Sequence, residues 1–198
     1  MIFIEDLTVS YGKQSVLQNC NLHIARGERA AFMGPSGCGK TTLLACIAGI
    51  SAATSGTVFT KGEKISYVFQ EPRLLPWLTA VQNLNVVLSD SPKTLPSAFD
   101  MLERLQLSGA AEKFPHELSG GMRQRLAIGR ALLYDGDPLL LDEPLKGLDK
   151  QLKTEIAQLI KEFSEGKTIL TVSHDESEVS LLADTVYMHT GKTFQKQK

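Results

Sequence analysis

Paired cysteines are missing from this sequence. Cys20, Cys38 and Cys46 are odd in number and show no C-x-x-C spacing. A disulfide framework or a zinc site needs several cysteines at set spacings, so the sequence argues against both. We therefore expect reduced thiols.

An excess of charge of one sign is missing as well. The 198 residues include 21 Lys and Arg against 22 Asp and Glu, which gives a net charge of −1. Such a chain offers no overall attraction to phosphate backbones or to anionic lipid. We expect no nucleic acid among its partners.

Long apolar runs are also lacking. The uncharged stretches 41–60 and 74–89 come nearest to the ~20 apolar residues that a spanning helix needs, but the first turns polar after Ile50 and the second is interrupted at Pro76. Residues 1–6 do not have the basic segment followed by a long apolar one that marks a signal peptide. We therefore expect a cytoplasmic chain.

Apolar material for a core is present, at 42% of the chain, and the length suits one domain. The region 72–133 is expected to be helical and loop-like, with a capping box at Ser97-x-x-Asp100 and an apolar stripe that ends at Gly109. The last third alternates strand and helix, which predicts an α/β fold with a parallel sheet. Strands are predicted at 2–9, 16–17, 22–24, 30–33, 58–59, 65–69, 139–141, 169–172 and 186–188, and helices at 41–50, 152–163 and 179–183.

A glycine-rich loop follows the strand at 30–33. Gly34–Thr41 matches G-x-x-x-x-G-K-[ST] between a predicted strand and a predicted helix, which is the context that this phosphate-binding motif requires. Its backbone N–H groups would surround phosphate oxygens, Lys40 would reach the β and γ phosphates, and Thr41 could ligate magnesium. The spacing differs from the G-x-G-x-x-G of dinucleotide-binding folds, which disfavours a Rossmann cofactor.

Two carboxylates follow the apolar run 139–141. In a parallel sheet, functional groups lie at the carboxyl ends of the strands. Asp142 suits a magnesium ligand, and Glu143 suits a general base for water that attacks the γ phosphate. The alternative is a solvated acidic turn before Pro144.

A second candidate anion site lies at Ser119-Gly120-Gly121. Ser119 can cap a helix, and the two glycines leave the first N–H groups uncovered. The alternative is an ordinary capped helix. Two phosphate sites in one chain are unexpected, because a nucleotide has only one terminal phosphate.

These motifs together resemble the ATP-binding subunit of an ABC transporter. The resemblance covers residues 2–191 and rests on the phosphate loop, on LSGGMRQR at 118–125, on LLLDEP at 139–144, and on Gln70 and His174 in this order. It implies a P-loop NTPase core with a mostly parallel sheet, an N-terminal antiparallel β part and an inserted α-helical subdomain. Residues 1–198 would form one domain, with 1–70 and 134–198 as the β part and core and 71–133 as the helical subdomain.

The resemblance also implies the site and its partners. Two copies would pair head to tail, so that Ser119 and Gly121 contact the γ phosphate bound to the partner's Lys40 and the partner's Thr41. ATP and Mg²⁺ would be the cofactors. The implied nucleotide-binding residues are Tyr11, Gly34, Ser36, Gly37, Cys38, Gly39, Lys40, Thr41, Thr42, Ser119, Gly120, Gly121 and Asp149; the implied metal ligands are Thr41, Gln70 and Asp142; and the implied catalytic residues are Glu143, His174 and Gln70.

Single residues in this set keep ordinary alternatives. Tyr11 would stack on adenine or pack in a turn, Gln70 would link magnesium to the attacking water or cap a backbone group, and His174 would contact the γ phosphate or bond the backbone at a strand edge. Asp149 would cross the dimer interface. The family usually has Ser-Ala before this aspartate, whereas this chain has Lys146-Gly147.

The proline-interrupted segment 71–79 is similar to the same region of nitrate, sulfonate and taurine importers. There it would receive a membrane subunit, with Leu74, Leu75, Trp77 and Leu78 as contacts; the alternative is a satellite core under the helical region. The resemblance thus implies an ATPase that powers import. It would lie on the inner face of the membrane with permease subunits and a solute-binding protein. The rivals are a soluble ABC ATPase of DNA repair or cofactor assembly and a module that holds ATP without turnover.

Overall fold

The computed structural model describes residues 1–61, 64–88 and 92–197. Ser89 and Lys198, which end two of the segments discussed above, lie outside the described residues. The strands are β1 Ile2–Tyr11, β2 Gln14–Ile24, β3 Arg29–Met33, β4 Ser55–Thr60, β5 Ser66–Val68, β6 Leu139–Asp142, β7 Ile169–Val172, β8 Thr185–Thr190 and β9 Thr193–Lys196. The α-helices are α1 Lys40–Ile47, α2 Ala80–Asn85, α3 Leu95–Arg104, α4 Gly120–Tyr134, α5 Lys150–Phe163 and α6 Glu176–Leu182.

Two sheets organise the chain. The first is antiparallel with strand order β2-β1-β4, and the second has the order β5-β6-β7-β3-β8-β9. All neighbours in the second sheet are parallel except β8 and β9. The structure therefore confirms the predicted α/β fold with an N-terminal antiparallel part, a mostly parallel sheet and an inserted helical segment.

Strand β6 shows how the core is divided. Leu139 and Leu141 belong to one buried cluster with the helical segment and α5, while Leu140 belongs to another with α1 and β3. Successive strand residues point to opposite faces of the sheet, so one fully apolar strand serves both layers. Because the helical segment shares its cluster with the sheet, its packing supports the prediction of one domain.

Helix α3 corrects one prediction. It begins at Leu95 with Thr94 as N-cap, and it ends at Arg104 rather than near Gly109. Ser97 therefore lies inside the first turn, and the predicted capping box at Ser97-x-x-Asp100 is wrong. Pro96 explains the earlier start, because a proline in the first turn lacks only an N–H that would have no helical partner.

Three further differences concern lengths. The strands predicted at 16–17 and 22–24 are one continuous strand, β2. Helix α6 begins before 179, since the Asp175 side chain accepts a hydrogen bond from the Ser177 N–H and caps it. The short elements α2 and β9 were not predicted. Within the described ranges, no helix is long and apolar enough to cross a membrane.

Candidate active site

The phosphate loop connects β3 to α1. Lys40 is 7% exposed, and its Nζ donates to the carbonyl oxygens of Gly34 at 2.8 Å and Pro35 at 2.9 Å. Gly39 has φ +103°, and a Cβ at this residue would lie 2.8 Å from Val16 Cγ1. Only glycine fits this conformation and this close approach to β2. The loop is thus preset around a buried ammonium group.

A cavity of about 460 Å³ opens at this loop. Its wall combines the phosphate loop with residues that follow three neighbouring strands. Gln70 comes after β5, Glu143 after β6 and His174 after β7, and these strands end at the same edge of the sheet. The lining residues are Val16, Ser36, Gly37, Gly39, Lys40, Thr41, Thr42, Gln70, Glu143, Lys146, Val172 and His174.

Glu143 lies at the centre of a hydrogen-bond network in this cavity. Its Oε2 accepts from Gln70 Nε2 at 3.2 Å and from Lys146 Nζ at 2.6 Å, and its Oε1 lies 3.2 Å from His174 Nδ1. Partial burial by itself raises the pKa of Glu143, but hydrogen bonds from Lys146 and His174 outweigh it and hold this pKa below its usual value. The carboxylate is therefore ionised at neutral pH, as a general base must be.

Asp142 lies deeper, with 1% of its surface exposed. Burial raises its pKa, and so does the neighbouring Glu143, whereas a hydrogen bond from Thr41 and the charge of Lys40 lower it. Its Oδ1 has no hydrogen-bond partner among the residues that the structure describes. A buried carboxylate oxygen without a partner is costly unless a cation satisfies it.

Magnesium fits this arrangement. Proteins bind Mg²⁺ through one or two carboxylates together with substrate phosphates and waters rather than through a complete protein cage. In the described part of the chain, no group of three or more His, Cys, Asp or Glu side chains could hold a metal ion. Asp142, Thr41 and Gln70 offer oxygen ligands beside the phosphate loop.

The remaining predicted site residues lie outside the cavity wall. Tyr11 ends β1 and is 57% exposed. Ser119 accepts a hydrogen bond from the Met122 N–H at 3.3 Å as the N-cap of α4, where Gly120 and Gly121 form the first turn. Asp149 caps α5 by accepting from the Leu152 N–H. Their roles toward a nucleotide stay predictions.

Cys38 and Gly34 belong to the loop without lining the cavity. Cys38 is half-buried, and its Sγ lies 3.8 Å from Lys40 Nζ. A Cβ on Gly34 would lie 2.6 Å from His189 Cβ, so this glycine is required by packing. Both residues therefore shape the loop.

Lys146 is the functional side chain that sequence reasoning did not place in the site. It appeared only as a departure from the family pattern, although its spacing of three residues from Glu143 was a possible signal. A second set of residues holds the His174 loop: Ser173 Oγ donates to Glu178 Oε2 at 2.8 Å, and Lys153 Nζ lies 2.8 Å from Glu178 Oε1.

The fold and the cavity define the class of a P-loop nucleotide-hydrolysing domain. A glycine-rich loop with a buried lysine faces a buried aspartate and an ionised glutamate at the ends of parallel strands, which is the arrangement for transfer of a phosphoryl group to water. The family model described as ABC transporter matches residues 17–146. The chain belongs to the ABC transporter family.

Curated relatives agree with this assignment. The aliphatic sulfonates import ATP-binding protein SsuB 1 of Shouchella clausii is 40% identical over 182 residues, which are 90% of this chain and 73% of that protein. The corresponding SsuB 3 of Pseudomonas syringae pv. tomato is 38% identical and covers 93% of this chain and 71% of its own length.

A solved structure shows the same fold. The dimeric ATP-binding cassette MJ0796, in a post-hydrolysis state bound to ADP and Pi, has a TM-score of 0.91 and 30% sequence identity. The match covers 100% of this chain and 98% of that one.

Proposed function

We propose that this chain is the ATP-binding and ATP-hydrolysing subunit of an ABC importer of the nitrate, sulfonate and taurine type. The observation that carries the proposal is the meeting of Lys40, Gln70, Glu143 and His174 at one cavity. The sulfonate import relatives support the importer type. They do not favour a soluble ATPase of DNA repair or cofactor assembly.

The chain's own residues divide the chemistry. The phosphate loop and Lys40 would hold the β and γ phosphates of ATP. Thr41, Gln70 and Asp142 would hold Mg²⁺, which supplies positive charge against the phosphates when it is bound. Glu143 would accept a proton from the attacking water, and His174 beside it would contact the terminal phosphate.

A second copy of the chain is the proposed first partner. Ser119 and Gly120 are exposed at the N-terminus of α4, outside the cavity of their own subunit. In a head-to-tail pair, the α4 N-terminus would contact the terminal phosphate held by the partner's Lys40, because uncovered helix N–H groups bind anions. The dimeric state of MJ0796 supports this arrangement.

The segment 74–78 is the proposed contact with a membrane permease. Leu74 packs against the core, whereas Trp77 is 69% exposed. The buried Asn83 holds the segment: its Nδ2 donates to the carbonyls of Leu75 and Leu78, and its Oδ1 accepts from the Leu75 N–H. A rigid loop that displays an indole to solvent suits a protein interface. A position on the inner membrane face, with a solute-binding protein as a further partner, belongs to the same proposal.

Paired substitutions test the transport assignment. Trp77→Gln should leave the melting temperature and ATP binding of the isolated chain unchanged and should reduce co-purification with the permease subunits encoded beside it. The control Leu74→Gln should instead lower the melting temperature, because it places an amide against the core. A Trp77→Gln chain that assembles with the permease as the wild type does would remove this segment from the interface.

The enzymatic part is tested by phosphate release from MgATP. The purified wild-type chain, alone or assembled with its permease, should release phosphate in an ATP-dependent and magnesium-dependent manner. Binding of ATP without any release in both forms would leave only the ATP-holding module.

A further inference from the structure

The turn after β6 brings Lys146 back toward Glu143. Glu143 has φ +48°, and the Lys146 N–H donates to the Glu143 carbonyl at 3.3 Å. This backbone contact closes a four-residue turn, so the Lys146 side chain folds over the glutamate. Its Nζ lies 2.6 Å from Glu143 Oε2, with 55% of the lysine side chain exposed against 14% of the glutamate side chain.

The contact from Lys146 is the shortest of the three that reach the Glu143 carboxylate. Gln70 Nε2 lies 3.2 Å from the same oxygen, and His174 Nδ1 lies 3.2 Å from the other. A hydrogen bond between an ammonium and a carboxylate is stronger than one from a neutral amide. Gln70 and His174 also come from separate loops, whereas Lys146 shares the turn of Glu143 and approaches it without any movement of the strands.

A carboxylate has about four lone-pair sites. The three donors occupy three of them, which leaves one to accept the proton of a water molecule. An exposed ion pair contributes little to folding stability. The arrangement therefore restrains the orientation of Glu143 far more than it stabilises the fold.

We propose that Lys146 is a positioning residue that fixes the Glu143 carboxylate at the cavity wall for its reaction with water. The inference rests on the proposed ATP hydrolysis. The ABC family usually has serine here, whose shorter side chain could not form this ion pair. The position therefore gives this chain its own means of orienting the base.

Kinetics of three variants test the proposal. Lys146→Met removes the charge and keeps the length, Lys146→Arg keeps the charge, and Lys61→Met is the control at an exposed lysine after β4. Lys146→Met should lower the kcat for ATP hydrolysis about tenfold, the worth of one charge-assisted contact, and should leave KM within about twofold because no nucleotide contact is lost. Lys146→Arg should keep at least half of the wild-type kcat.

Several results would overturn the inference. A Lys146→Met chain with wild-type or raised kcat would show that the ammonium does not help the base. A changed KM at constant kcat would instead assign Lys146 to nucleotide binding. Equal losses in the Met and Arg variants would exclude the ion pair as the restraint.

A structural readout separates this inference from the proposed function. A crystal structure of nucleotide-free Lys146→Met should show the Glu143 carboxylate moved away from Gln70 and His174. An unmoved carboxylate would overturn the inference. A wild-type chain that binds ATP but never hydrolyses it would refute the proposed function, and the crystal structure would still report on the role of Lys146.

Discussion

The phosphate loop and the segment 118–125 are both glycine-rich entries to helices, yet their surroundings differ. At α1 the N-cap is Gly39, and no side chain occupies the first N–H groups. At α4 the Ser119 hydroxyl already accepts from the Met122 N–H. The first entry is lined by Glu143 and His174, whereas the second opens to solvent.

This difference indicates a division of labour between two parts of one chain. The first entry has the groups for phosphate binding and for proton transfer within its own subunit. The second has uncovered N–H groups and a hydroxyl but lies apart from the cavity, so it can act only on a phosphate that another molecule brings. Four substitutions sharpen the comparison, and they are described from the largest expected effect to the smallest.

Glu143→Gln should abolish most of the hydrolysis at the first entry. The amide keeps the shape of the side chain but cannot accept the proton of water, so the rate of phosphate release should fall ~10²–10⁴-fold. ATP binding should remain, and light scattering should show a dimer that persists in MgATP. A variant with wild-type phosphate release would contradict the role of Glu143.

Lys40→Ala should remove most of the ATP affinity. A buried charge contact to phosphate is worth about 2–5 kcal/mol when one partner is truncated, and isothermal titration with ATP measures this loss. Lys61→Ala, which removes a lysine of similar charge far along the chain, is the control. Equal ATP affinity in the two variants would remove Lys40 from the phosphate site.

The sequence predicted the residues of the first entry well, because local motifs determine them. Gly34–Thr41 needs only a strand before it and a helix after it, and strand ends bring Glu143 and His174 to the same edge. Lys146 could not be placed in this way, since its contact depends on the positive φ of Glu143 and on a turn closed by a backbone hydrogen bond.

Tertiary contacts explain the elements that the sequence did not predict. Strand β9 has one buried residue, Phe194, and exists through its pairing with β8. Helix α2 is short and begins at a capping box of Thr79 and Gln82. Asn83, which reads in the sequence as a polar interruption, is buried and holds the loop before α2. Patterns of apolar spacing carry no signal for such contacts.

Gly120→Glu tests the second entry alone. No atom lies within 4 Å of a Cβ added at Gly120, and a carboxylate in the first turn of a helix is favourable, so the fold should be retained. The carboxylate would repel a triphosphate, and like charges placed together cost several kcal/mol. In the Glu143→Gln background, ATP-dependent dimerisation should weaken at least tenfold while ATP binding to the single subunit is unchanged.

The neutral variant Gly120→Gln is the matched control for size. It should dimerise nearly as the parent does. If the Glu and Gln variants dimerise equally well, the N-terminus of α4 does not approach a phosphate.

Ser119 separates capping from phosphate contact, and its substitution should have the smallest effect. Replacement of an N-cap serine by alanine costs ~1 kcal/mol of stability, whereas replacement by glycine costs only a few tenths. Ser119→Ala should therefore lower the free energy of unfolding more than Ser119→Gly does, as urea titration would show. If the hydroxyl also contacts the partner's phosphate, both variants should lose ATP-dependent dimerisation to the same extent in the Glu143→Gln background. If Ser119→Gly keeps both stability and dimerisation, the serine is a helix cap alone, and only the N–H groups of α4 remain to bind the phosphate.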